Sequence, residues 1–137
     1  MQYLTDFILA IKTVGAIMVI FAITICLAST KKATGDCQLL HHGTFKYGDS
    51  QTEIIVKIKG SKHVEYHEDG KYIIEFNLDW VNECEYNMTM TNVTLPNFPY
   101  GLGDIMNVKI DSVKGNEIYY TSTVKGQRWK GKFIKIE

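Results

Sequence analysis

The chain has 137 residues and carries fifteen Lys and Arg against fifteen Asp and Glu, so its formal net charge is zero. That length allows one domain plus a terminal segment. Leaving out Lys12 and Asp6, the body beyond residue 30 still balances, fourteen against fourteen, which argues against nucleic acid as a partner because phosphate binding relies on surplus Lys and Arg.

Residues 1–30 hold an apolar run, Val14 to Leu27, inside an uncharged stretch of eighteen residues from Thr13 to Thr30. That is close to the ~20 residues a helix needs to span a bilayer. One reading is a cleaved signal peptide, with Ala28 and Ser29 as the small residues before the cut. The other is an uncleaved membrane anchor that recruits Phe7 to Ile11, with Lys12 snorkelling to the interface. Asp6 weakens the first, and Lys31 with Lys32 on the translocated side weakens the second. Either way the body is expected to be extracytoplasmic, periplasmic or in the cell envelope. Cys26 follows Ile25, which is not the small residue a lipid-attachment site needs, so it is read as an apolar filler.

Residues 31–42 read as a linker or lead-in. Cys37 lies there, and Cys84 is the only other cysteine of the body. In an exported domain two such thiols favour a disulfide. The alternative is a pair of free buried thiols.

From residue 43 to 137 the pattern is one strand after another. Phe45 and Tyr47 share a face of the first. Ile54, Val56 and Ile58 alternate with Glu53, Lys57 and Lys59 in the second, Gly60-Ser61 turns the chain, and Lys62 to His67 is a third. Glu68-Asp69-Gly70 turns into the strongest alternation: Tyr72, Ile74, Phe76, Leu78 and Trp80 fall on one side. After Val81-Asn82-Glu83, the residues Cys84, Tyr86, Met88 and Met90 resume it. Leu95 to Asp104 holds both prolines and is a loop. Met106, Val108 and Ile110 mark the sixth strand, and Glu117 to Val124 and Gln127 to Ile136 pair about Lys125-Gly126. No helix is expected after residue 30. The fold class is all-β: an antiparallel meander of about eight strands, lipocalin-like, closing into an up-and-down barrel or remaining an incomplete one, preceded by one N-terminal apolar helix.

The chemistry is sparse. His63, Glu65 and His67 share one strand face, but i, i+2 side chains stand nearly 7 Å apart, so the triplet is expected in water with Val64 and Tyr66 as the core face. No metal, cofactor or catalytic residue is assigned. No nucleophile elbow or phosphate loop is present, and no enzyme activity is expected. Phe45, Tyr47, Tyr66, Tyr72, Phe76, Trp80, Tyr86, Tyr120, Trp129 and Phe133 all have interior parity. The plainer expectation is that they fill the barrel. The sharper one is a cavity for a small apolar ligand, bound by Trp80, Tyr86, Phe98 and Tyr100, with the last two on a loop at its mouth.

Cys37, Gly43 to Tyr47, Glu65, the block Trp80-Val81-Asn82-Glu83-Cys84-Glu85-Tyr86, Gly131 and Lys135-Ile136 together resemble a family of small exported bacterial proteins of the flavobacterial type. Some members carry a topoisomerase label that a short neutral chain does not support. The resemblance spans Cys37 to Ile136 and implies an exported, lipocalin-like β-barrel with paired cysteines. The expected function is a non-enzymatic extracytoplasmic barrel that binds an apolar ligand; the alternative is a membrane-tethered module that docks another envelope protein.

Overall fold

The computed structural model describes residues 33–48 and 50–137. Eight antiparallel strands follow in chain order: β1 (His42–Tyr47), β2 (Ile55–Lys59), β3 (Lys62–His67), β4 (Tyr72–Asn82), β5 (Glu85–Val93), β6 (Ile105–Lys114), β7 (Glu117–Val124) and β8 (Gln127–Lys135). Each pairs with the next, and β8 returns to β1 through Phe45↔Lys135, Lys46↔Ile134 and Tyr47↔Phe133. The meander is therefore a closed barrel, not an incomplete one, and closure leaves no free sheet edge. Residues 1–30, expected as a signal peptide or anchor, lie outside the described residues. Among the described residues no helix is long and apolar enough to cross a membrane.

Alternation builds the core. Phe45, Val56, Ile58, Ile74, Phe76, Leu78, Tyr86, Met88, Met90, Val108, Ile110, Ile118 and Phe133 are all buried and form one cluster. Three register shifts interrupt the ladders, two along β4 (Glu75/Phe76 and Trp80/Asn82) and one on β6 (Ile110/Ser112). Such irregularities sharpen local twist and let long strands wrap a small barrel. At Gly131 a Cβ would collide with the Tyr120 ring, its cross-strand neighbour. The missing side chain lets Tyr120 lie inward and stack on Phe133, with ring centroids 4.6 Å apart.

The two barrel ends differ. One carries the connections at residues 48–54, 68–71, 94–104 and 125–126; the other carries the tight turns at 60–61, 83–84 and 115–116. This second end is closed by the lead-in. Instead of a loose linker, residues 37–40 form one turn of 3-10 helix, capped by Asp36, whose carboxylate accepts from the Gln38 N–H at 3.0 Å. Cys37 and Leu40 are buried in the main cluster. The Thr34 carbonyl accepts from the Val113 N–H at 2.8 Å, and Lys135 Nζ donates to the carbonyls of Leu39 and His42 at 3.1 and 2.8 Å. Cys37 and Cys84 form a disulfide with Cα atoms 5.2 Å apart. It ties the helical turn to the β4–β5 turn at this same end.

Candidate ligand cavity

The side chains do not fill the barrel. A cavity of about 500 Å³ lies towards the end opposite the disulfide, within the range of small-molecule sites. The expectation of a solid aromatic core is thereby corrected. Eight strands set a circumference, and here the inward side chains leave room between them towards this end. Met88, Met106, Val108, Phe76, Tyr120 and Phe133 supply apolar walls, and Phe98, Pro99, Tyr100 and Trp129 gather at the mouth.

The mouth is held by specific contacts. The Phe98 and Tyr100 rings pack edge-on at 5.7 Å, and Tyr100 meets Trp129 at 6.3 Å. Asp104 accepts from the Gly101 N–H at 2.9 Å and from Lys125 Nζ at 2.8 Å, so one carboxylate joins the 94–104 loop to the β7–β8 turn. The Lys125 bond first, then the Gly101 bond, holds its carboxyl below the usual range. Leu102, Ile105 and Trp129 remain exposed around this rim.

One wall is polar, and it is the wall placed in solvent on sequence grounds. His63 is fully buried, Glu65 nearly so, and both line the cavity with His67. The correction has a plain cause. Across the two-residue turn at Gly60 (φ +61°), Ile58 pairs with His63 and Val56 with Glu65. Directly opposed residues share a face, so the triplet follows Val56 and Ile58 inward. Val64 and Tyr66 consequently face out, where Lys57 Nζ lies 5.5 Å from the Tyr66 ring centre.

Inside, the triplet is a hydrogen-bonded unit. Tyr47 Oη donates to Glu65 Oε1 at 2.6 Å. His63 Nε2 lies 3.2 Å from the same oxygen, and His67 Nε2 lies 3.2 Å from Oε2. Burial raises the Glu65 carboxyl, but bonds from His63 and His67, the His63 charge and the Tyr47 bond together outweigh it, and leave it at about 2. An ionised carboxylate only accepts, so both Nε2 atoms carry the hydrogens in these bonds. Burial, and then the Glu65 charge, keeps the Tyr47 phenol well above its usual value, so it stays a donor. Two polar atoms of cavity-lining residues have no hydrogen-bond partner, His63 Nδ1 and Tyr86 Oη. Among the described residues no group of three His, Cys, Asp or Glu is disposed to hold a metal ion. The carboxylate lies between the imidazoles, and bonds one on each oxygen.

Of the four residues expected to bind ligand, Tyr86, Phe98 and Tyr100 line the cavity and Trp80 does not. Trp80 lies lower, against the Tyr86 ring at 4.7 Å and stacked on His41 at 3.7 Å. Tyr86 thus stands between Trp80 and the cavity. Tyr47 was expected inward but not at the site, and His63, Glu65 and His67 were expected in solvent. The signal that reveals them is the two-residue turn at Gly60-Ser61, which sets the parity of β3. The chain matches no family model, no curated protein and no solved structure.

Proposed function

We propose that this protein is a non-enzymatic, extracytoplasmic barrel that binds a small apolar ligand inside its open half. The observation that carries the reading is the cavity of about 500 Å³, walled by Met, Val and aromatic side chains and roofed by Phe98 to Tyr100. Binding is favoured over catalysis by the state of Glu65. A carboxylate held at about 2 is a weak proton acceptor near neutral pH, far from the pKa that suits a general base. The placement outside the cytoplasm draws on the Cys37–Cys84 disulfide together with the apolar run at Val14 to Leu27. It is in keeping with the exported, lipocalin-like family that the Trp80 to Tyr86 block resembles.

The test is saturable uptake of a neutral apolar fluorophore such as N-phenyl-1-naphthylamine by the protein as recovered from its host. One site per chain is expected. The Met106→Trp variant, which places an indole in the cavity, controls for partition into lipid or detergent and should abolish the saturable component. Uptake that is the same in both proteins overturns the reading. The alternative, a tethered module that docks an envelope protein, draws on the exposed Leu102, Ile105 and Trp129 at the rim. A stoichiometric protein partner, lost on Leu102→Ser with Ile105→Ser while fluorophore uptake persists, would favour it.

A further inference from the structure

Charged groups are few in the cavity. Of the side chains that line it, Glu65 is the only carboxylate, and no Lys or Arg is among them. Buried carboxylates are ordinarily matched by a cation, because an unpaired charge away from water is costly. Here Tyr47, His63 and His67 donate to it instead.

Those donors do not use all of the acceptor capacity. A carboxylate offers about four lone-pair sites. Oε1 receives Tyr47 and His63, whereas Oε2 receives only His67. His63 Nδ1 and the Tyr86 hydroxyl have no hydrogen-bond partner among the described residues. Burial first, then the charges of Tyr120 and Glu65, keeps the Tyr86 phenol above its usual value, so its hydroxyl keeps its proton. The free capacity on Oε2 is where a further donor from a bound molecule can be accepted.

We propose that the ligand carries a cationic nitrogen, a primary ammonium or close analogue, on an apolar body, with Glu65 as its counter-ion. The inference rests on the apolar-ligand reading of the same cavity and adds the head group. The body lies against Met88, Met106 and the mouth aromatics, and the head lies against β3. A fatty acid of the same length is disfavoured, because it brings a second carboxylate beside Glu65. A neutral alcohol is intermediate, since it can bond to Oε2 but leaves the charge uncompensated.

The experiment is displacement of bound N-phenyl-1-naphthylamine by decylamine, decanol and decanoate at pH 7.5, where the amine is protonated and the acid ionised. The protein is used as recovered from its host, and Met106→Trp again subtracts partition into lipid. Decylamine is expected to displace at about tenfold lower concentration than decanol, or lower still, with decanoate weakest. Glu65→Gln keeps the shape of the side chain and should bring amine and alcohol level while decanol binding persists. If that variant fails to bind the fluorophore, the wild-type ranking decides alone. Equal displacement by all three compounds, a preference for decanoate, or an amine preference that survives Glu65→Gln overturns the head-group assignment and leaves the apolar cavity standing. Absence of fluorophore binding in the wild type removes both.

Discussion

His41 and Trp80 stack nearly parallel, 3.7 Å between ring centroids and 20° between planes, across the closed end of the barrel. His41 Nε2 lies 3.0 Å from the Glu83 carbonyl, next to Cys84. The indole that resembled a ligand contact is therefore part of a plug. Its partners are His41, which caps the 3-10 turn, and the Tyr86 ring that forms the cavity floor. The cavity and the closed end meet on opposite faces of Tyr86.

The disulfide should dominate the stability of that plug. Cys37 and Cys84 are 47 residues apart, and closing such a loop is worth about 4 kcal/mol in the chain-entropy model. Cys84→Ser should cost about 2–5 kcal/mol in denaturant unfolding, and Cys37→Ser a similar amount. The double variant should add little, because both substitutions remove one bond. Additive losses, or a mass showing two free thiols after isolation under oxidising conditions, would contradict this.

Gly131 should tolerate no side chain while Tyr120 remains. A methyl group there runs into the Tyr120 ring, which is itself stacked on Phe133. Gly131→Ala is expected to destabilise by about 1–3 kcal/mol, the usual range for an overpacked core. Tyr120→Leu should relieve part of the clash. If the double variant is no more stable than the sum of the two single ones predicts, the contact is not the cause.

How far the sequence was legible depends on which physical quantity each feature rests on. Strand order and the meander follow from short turns between alternating runs, and these are local. The disulfide is legible in two cysteines beyond an apolar run. The orientation of β3 was misjudged because Val64 and Tyr66 are the more apolar pair, whereas His63 and Glu65 face the interior. Pairing across Gly60-Ser61 outweighs hydrophobicity here: Ile58 and Val56 cannot be buried without carrying their partners inward. Trp80 shows a different limit. Alternation tells which face a residue occupies but not its height in the barrel, and Trp80 has the right face at the wrong level. The cavity itself is a difference between the volume the strands enclose and the volume the side chains fill, which no local pattern contains. Nor does any pattern mark residues 37–40 as a helical turn, since its stability comes from Leu40, Cys37 and Lys135.

Glu65 should make the folded state sensitive to acid. Its folded pKa, about 2, lies below the usual 4.5, so the unfolded chain takes up this proton at higher pH than the barrel does. The contribution is fully present above about pH 4.5 and is lost as the pH falls from there towards 2. For a buried carboxylate with a shift of that size it is on the order of 3 kcal/mol. Wild type should therefore lose stability more steeply than Glu65→Gln between pH 4.5 and 2.5 in urea titrations. Parallel slopes in that window would show that the carboxylate is not held as described.

Tyr47→Phe isolates one support of the same carboxylate. The phenol gives the shortest of the three bonds to Glu65, 2.6 Å, and the ring also packs on Phe133 with centroids 4.9 Å apart. Phenylalanine keeps the packing and deletes only the donor. A hydrogen bond to a charged acceptor contributes about 1.5–3 kcal/mol, so the variant should be less stable at pH 7 by roughly that amount. Losing a bond that favours the ionised form must also raise the Glu65 pKa from about 2 towards the usual value. The two effects are linked in sign: as the folded pKa rises, the acid-sensitive window narrows from its lower edge, and the loss of stability at pH 2.5 becomes smaller than at pH 7. Urea unfolding at both pH values measures the pair. A penalty that is equal at pH 7 and pH 2.5 would mean the Tyr47 hydroxyl does not stabilise the Glu65 anion.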